Sequence, residues 1–175
     1  VKTTIYFEGS ANISNGDLRE GFTTLLSRRI AISKFQVKLC NDKNSAIRVY
    51  NKATTPYKRV VVDLDKHENF RDAEIAVLNM QTQKDNCFFM VQEMEAWFSS
   101  QPDVCKGVFG NQFPAFTGNA SVVDNPSSKL KELTRFKNQP YHKVKHAAEL
   151  LKNLNIEKLE NEFPDVKRLV ETLSK

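Results

Sequence analysis

The sequence predicts an α/β fold in which helices flank a parallel sheet and the C-terminal third of the chain is helical. Over residues 1–100, short apolar runs typical of strands alternate with segments of helical periodicity. The run Val60–Val62 is continuous and β-branched, as expected of a strand that is covered on both faces. A β-α-β-α-β order of such elements indicates parallel pairing through right-handed crossovers.

The first elements follow from local pattern. A strand over residues 3–8 ends in Glu8-Gly9 and is followed by a polar loop, Ser10 to Gly16. Asp17 or Asn15 is placed to cap a helix that runs to about Ser33. Its apolar positions recur at helical spacing, and they include Leu18, Phe22, Leu25, Leu26 and Ile32. Gly21 either weakens this helix or lets it approach the sheet closely.

The next elements complete the predicted sheet. Residues 35–40 alternate apolar and polar side chains like a strand near a sheet edge, and residues 44–53 fit a short helix. The buried strand over 59–65 ends in Asp-Leu-Asp. A helix over 70–80 is expected to bury Ala73, Ile75, Ala76, Val77 and Leu78. A fourth apolar strand covers 87–91, and a helix is expected to begin within 92–98.

The remainder of the chain is predicted to be mostly helical. A helix begins near Pro102, and a long loop covers residues 107–125. Ser127 or Ser128 is placed to cap a helix over 130–136. Two further helices are predicted, one over 140–154 and a final one from Pro164. We therefore expect a single domain over residues 1–175, with a sheet core at 1–100 and a loop and helical extension at 101–175 packed on it.

Composition sets mild limits on function. The chain has 175 residues, 40% of them hydrophobic, and a formal net charge of +5, which is compatible with a nucleic-acid partner but does not require one. Its three cysteines lack metal-ligand spacing and fit small, reduced core residues. Such an odd and sparse set of cysteines suggests reduced thiols, so we expect a cytoplasmic location. Because the sequence has no long apolar run, we expect no membrane partner.

Carboxylates stand where predicted strands end. Glu8 ends the first predicted strand, and Asp63 and Asp65 end the third. Carboxyl ends of parallel strands share one edge, so these acids are expected to converge there. On extended backbone, Asp63 and Asp65 point the same way. Mg²⁺ or Mn²⁺ relieves the repulsion among such acids, although strand-end capping is the plain alternative for each.

Two other segments carry candidate functional residues. Glu93 and Glu95 precede Trp97 and Phe98 just past the fourth strand, so they are expected near the same edge, while the aromatic rings are expected in the core. Lys143 and Lys145 lie on one short basic and aromatic helix, where they fit either phosphate contact or an ordinary solvated face.

The chain resembles a known family through these motifs. A strand ending in Glu8-Gly9 and a later one ending in Asp63-Leu64-Asp65 are similar to the Toprim pattern. The segments 91–97 and 141–146, with Phe163-Pro164, resemble more narrowly the bacterial Toprim-like domain of unknown function 4276. Residues 41–44 depart from that pattern, since a Gly-rich turn is expected there.

The resemblance implies a Toprim-like (Rossmann-like) fold and metal-dependent phosphodiester chemistry. It implies that Asp63, Asp65, Glu8 and Glu95 hold Mg²⁺ or Mn²⁺, with Glu8 acting through water or as a general acid/base. The implied substrate is DNA, RNA or tRNA. The implied setting is antiviral defence beside an ABC- or SMC-like ATPase, as an effector of abortive infection.

Two other functions are open at this level. A non-catalytic subunit of the same fold would bind an ATPase or nucleic acid and keep its affinity without metal. A phosphoacceptor receiver shares the parallel sheet and its acids, but it needs an acidic pair after the first strand, where Glu8 stands by itself.

Overall fold

The structure is a computed structural model that describes residues 1–10, 17–114 and 118–175. The described residues form a four-stranded, wholly parallel sheet in the order β2-β1-β3-β4. The strands are β1 (Thr3–Glu8), β2 (Phe35–Cys40), β3 (Lys58–Asp63) and β4 (Cys87–Met90). The predicted α/β class, its strands and their parallel pairing are confirmed.

Helices flank the sheet and make up most of the C-terminal part. Within the described residues, no helix combines the length and the apolar character needed to cross a membrane. The α-helices are α1 (Leu18–Ser27), α2 (Lys43–Lys52), α3 (Arg71–Val77), α4 (Glu95–Ser99), α5 (Pro102–Phe109), α6 (Pro126–Leu133), α7 (Lys143–Asn153), α8 (Ile156–Glu162) and α9 (Pro164–Ser174).

Neighbouring side chains on β1 show how the layers are arranged. Phe7 stacks on Phe22 of α1, with ring centroids 4.0 Å apart. Tyr6 meets Tyr50 of α2 edge to face, at 6.5 Å. Because successive strand residues point to opposite faces, α1 and α2 cover opposite faces of the sheet. The sheet is therefore buried on both sides, as the run Val60–Val62 predicts.

The order of the strands creates a reversal point between β1 and β3. The chain leaves β1 in one direction to form β2 and then crosses back to form β3. Ligands of open α/β sheets bind outside the carboxyl ends of the strands at such a reversal. Glu8 ends β1 and Asp63 ends β3, so both acids border this position.

The first helix ends earlier than the sequence predicts. α1 ends at Ser27 instead of about Ser33, and Ile32 is 60% exposed. The residues that follow are held by tertiary contacts, since Arg28 donates to the carbonyl of Lys152 in α7 and Arg29 pairs with Glu160 in α8. Those contacts favour a non-helical turn at these residues over a continuation of the α-helix.

The predicted buried side of α3 is wrong in part. Ile75 is buried and Leu78 is half-buried, but the exposed residues include Ala73, Ala76 and Val77. Glu74 is buried instead. Burial of this carboxylate is possible because two lysine ammonium groups bind it, which helical periodicity cannot reveal.

The C-terminal helices also differ from the prediction. α6 begins at Pro126, whose fixed φ suits a first helical turn, and α7 begins at Lys143. The unpredicted helix α8 is capped by Asn155, whose side chain accepts from the N–H of Lys158 at 3.1 Å. The predicted cap Asn15, with most of its polar loop, and residues 115–117 of the long loop lie outside the described residues.

The aromatic rings and the cysteines that the sequence assigns to the core are buried. Trp97 and Phe98 are buried on α4, as predicted. The three cysteines are buried and unpaired, and burial raises the pKa of both the Cys87 and the Cys105 thiol to about 12. They are therefore inert core residues rather than nucleophiles.

Candidate functional site

Glu8 and Asp63 meet at the carboxyl edge of the sheet. The Glu8 Oε2 accepts a hydrogen bond of 2.9 Å from the backbone N–H of Asp63. Burial raises the pKa of Glu8, although this hydrogen bond opposes the shift. The contact joins the ends of two neighbouring strands, so it fixes Glu8 against the end of β3.

Asp63 lies in the interior although it is an acid. It is 6% exposed, and its Oδ1 accepts a hydrogen bond of 2.9 Å from the N–H of Met94. Burial raises the pKa of Asp63 well above its usual range; Lys143 opposes the shift, and the charges of Glu8 and Glu95 increase it. The ionised form of this carboxyl group is therefore favoured only where a cation lies nearby.

Glu95 joins the cluster from the first turn of α4. It is 1% exposed, and its Oε1 accepts a hydrogen bond of 2.8 Å from the hydroxyl of Tyr141. Its Oε2 is buried and has no hydrogen-bond partner among the described residues. The apolar neighbours Ala96 and Phe98 are also buried, so α4 places this carboxylate inside the core.

Lys143 supplies the positive charge of the cluster. Its Nζ lies 3.7 Å from Asp63 Oδ2 and 3.6 Å from Glu95 Oε2. Burial lowers the pKa of Lys143, but the nearby acids outweigh that effect and raise it overall. Lys143 therefore bridges an acid at the end of β3 and an acid at the start of α4.

Asp65 is oriented differently from Asp63. Its φ of 59° places it in the left-handed region beyond the end of β3, so the extended backbone expected from sequence is not observed there. Its side chain is 55% exposed, and its Oδ2 accepts a hydrogen bond of 2.7 Å from Lys43. Its N–H donates to the carbonyl of Gln92, which holds the turn beside the end of β4.

Lys43 is a part of the site that the sequence reasoning missed. It also binds Glu74 of α3 at 3.2 Å, and Lys66 binds the other oxygen of Glu74 at 3.0 Å. Lys43 lies in the segment 41–44, which departs from the expected Gly-rich turn. Instead of such a turn, Asp42 caps α2 by accepting from the N–H of Ser45.

The remaining predicted residues lie at the margin of the cluster or outside it. Glu93 is half-buried and accepts a hydrogen bond of 3.1 Å from the N–H of Ser127, at the start of α6. Lys145 is exposed. Positions two apart on a helix face different directions, so Lys143 and Lys145 do not present a common surface. The structure brings together Glu8, Asp63, Glu95 and Lys143, with Asp65 beside them.

The residues of this cluster fit a hard cation in chemical type. In the part of the chain that the structure describes, no three His, Cys, Asp or Glu side chains form a ready-made metal site. The acids nevertheless offer the oxygen ligands that Mg²⁺ and Mn²⁺ prefer, and Glu95 Oε2 is a buried acceptor to which no described residue donates a hydrogen bond. In this conformation the Lys143 ammonium group provides the positive charge that a metal ion would provide.

Comparison with known proteins identifies the family. A family model described as "Domain of unknown function (DUF4276)" matches residues 23–174, which include Asp63, Asp65, Glu95, Lys143 and Lys145. Glu8 lies before the matched segment. No curated protein and no solved structure gives a significant match. Since the family model covers most of the sequence, this chain belongs to the DUF4276 family.

Proposed function

We propose that this protein is a metal-dependent nuclease that hydrolyses phosphodiester bonds of DNA, RNA or tRNA. The observation that carries the proposal is the convergence of Glu8, Asp63 and Glu95 at the reversal point of the sheet. These acids come from β1, β3 and α4, and a hydrogen bond to one oxygen orients each of them.

We assign different roles to the acids, following the resemblance described above. Asp63, Asp65 and Glu95 would hold Mg²⁺ or Mn²⁺, and Glu8 would bind the metal through water or act as a general acid/base. The cation, when bound, supplies the positive charge that polarises a phosphoryl oxygen. The raised pKa of Glu8 suits a group that accepts a proton from the attacking water at its carboxylate.

Basic residues beside the acids suit a phosphate-bearing substrate. The Lys143 side chain is 42% exposed, so its stem reaches from solvent into the cluster. It can therefore contact a phosphate at the mouth of the site. Lys145 lies on a different face of α7 and would contact a more distant part of the same nucleic acid.

The cellular setting rests on the resemblance described above. That resemblance implies that this protein works beside an ABC- or SMC-like ATPase in antiviral defence, with abortive infection as the outcome. We extend the proposal to that partner and that role.

The proposal is tested with the purified chain, Mg²⁺ or Mn²⁺, and three substrates: plasmid, single-stranded DNA and total RNA. We expect cleavage that EDTA abolishes. In Asp63→Asn, which keeps the size of the side chain, the rate should fall about 100-fold or more, the scale of losing a positioned catalytic group.

The matched control is Asp72→Asn. Its side chain is 95% exposed on α3, so the same loss of charge should leave the rate unchanged. Cleavage that survives EDTA, or that Asp63→Asn does not reduce, would contradict the proposed site.

The second candidate is a non-catalytic subunit of the same fold. The position of Lys143 favours it, since an ammonium group already compensates the buried acids without a metal. Such a subunit would bind an ATPase or nucleic acid with the same affinity in EDTA and would cleave none of the three substrates.

A further inference from the structure

Charge rather than hydrogen-bond geometry holds Lys143 in the acidic cluster. Its two contacts, at 3.6 and 3.7 Å, are longer than hydrogen bonds. Lys43 by contrast approaches Asp65 to 2.7 Å. Another cation displaces an ammonium group with such long contacts more easily than one that is held at hydrogen-bond distance.

The position of Lys143 in its helix is unfavourable by itself. It is the first residue of α7, and the first turn of this helix contains no acidic residue. Helix N-termini carry partial positive charge and favour acids over lysines. The acids of β3 and α4, and not the helix, therefore account for where the Lys143 side chain lies.

One carboxylate oxygen of Glu95 faces Lys143 without a hydrogen bond from any described residue. The buried hydroxyl of Tyr141 holds Oε1 at 2.8 Å, which directs Oε2 toward Lys143. That Oε2 is buried without a hydrogen-bond partner among the described residues. Lys143 at 3.6 Å meets this demand only partly, and a hard cation bound directly to the oxygen would meet it fully.

We propose that Lys143 is an internal counter-ion that a divalent cation displaces from Asp63 and Glu95. In the metal-free chain its ammonium group compensates the charge of these acids. When the metal binds, the half-exposed Lys143 side chain turns outward and carries the ammonium group into solvent. This inference rests on the proposed function, because it concerns the metal that the nuclease would use.

The test compares Mn²⁺ binding to the wild type and to Lys143→Met by calorimetry. The variant lacks the competing charge, so we expect its dissociation constant to fall at least tenfold. Lys145→Met removes the same charge from the exposed face of α7 and should bind Mn²⁺ like the wild type. Unchanged or weaker binding by Lys143→Met would overturn the inference.

The melting temperatures of the same proteins provide a second test. In EDTA, Lys143→Met should melt at a lower temperature than the wild type, because its acids have lost their counter-ion. Saturating Mn²⁺ should raise the melting temperature of Lys143→Met more than that of the wild type. Equal shifts in the two proteins would contradict displacement.

The wild type alone also tests the proposal, in case the variant does not fold. Acylation of lysines, read by mass spectrometry, should modify Lys143 faster in Mn²⁺ than in EDTA, since the metal releases it. The rate at Lys145 should not change. A rate at Lys143 that stays equal or falls would overturn the proposal.

The outcomes separate this inference from the nuclease proposal. Wild-type cleavage in Mn²⁺, without tighter binding by Lys143→Met, overturns the inference alone. Tighter binding without cleavage of any substrate supports the inference and overturns the nuclease. If neither protein binds Mn²⁺, both fail.

Discussion

Asp165 shows how one buried side chain protects the edge of this sheet. Its Oδ2 accepts a hydrogen bond of 2.8 Å from the N–H of Phe89 in β4, on the side where the described part of the chain places no neighbouring strand. Arg168 binds Asp165 and donates to the carbonyl of Cys87 at 2.7 Å. Unpaired groups on an edge strand invite pairing with other chains, and α9 covers them here.

We expect Asp165→Ala to destabilise the protein by about 3 kcal/mol, because Arg71 and Arg168 lose their buried partner. Urea unfolding measures this free energy. Asp72→Ala is the matched control, since Asp72 also pairs with Arg71 but is exposed, and it should cost less than about 1 kcal/mol. Similar costs for the two variants would show that the buried network is not what stabilises β4.

At the scale of elements, the contact between α1 and α7 depends on a glycine. A Cβ at Gly21 would lie 3.0 Å from Leu151 Cβ and 3.2 Å from the carbonyl oxygen of Ala148. Gly21 therefore permits a close approach to α7, whereas the sequence predicted either a weakened helix or a close approach to the sheet. This packing helps to fix α7, whose first residue is Lys143.

We expect Gly21→Ala to lower the free energy of unfolding by roughly 1 kcal/mol, since the clash with α7 outweighs the better helix propensity of alanine. Gly107→Ala is the control. Gly107 lies in α5, and no atom of the described residues lies within 4 Å of the added Cβ, so that change should stabilise the protein by up to about 1 kcal/mol. Chemical denaturation of both variants gives the comparison, and a gain at Gly21 would argue against the tight contact.

At the scale of the whole molecule, the C-terminal helices support both the sheet and the site. α9 covers β4, and the segment that begins α7 supplies Tyr141 and Lys143 to the acids. Trp97 of α4 lies between Phe22 of α1 and Phe163, with ring centroids 6.4 and 6.5 Å away. This tryptophan therefore reports on packing between the N-terminal and C-terminal parts of the chain.

Because the two parts share this packing, we expect them to unfold as one domain. Denaturant curves from Trp97 fluorescence and from far-ultraviolet circular dichroism should coincide. A fluorescence transition that precedes the loss of helical signal would mean that residues 101–175 detach separately.

Part of the site was predictable because strands leave a strong local signal. A continuous apolar run such as Val60–Val62 is typical of a buried parallel strand. Once the strand is assigned, the position of the acid at its end is known. The turn at Asp65 was not predictable in this way. Its left-handed φ depends on pairing with Gln92, which lies beyond the next strand.

By itself, the sequence determined the α/β class, its parallel strands and the common edge at which Glu8 and Asp63 lie, because side-chain periodicity and strand-end position are local properties. Only the tertiary structure decided which cations meet those acids. Lys43 and Lys143 belong to different helices, and nothing in the local pattern of either helix points toward a carboxylate. Charge compensation in a buried site depends on distances between elements, and those are fixed only when the helices pack.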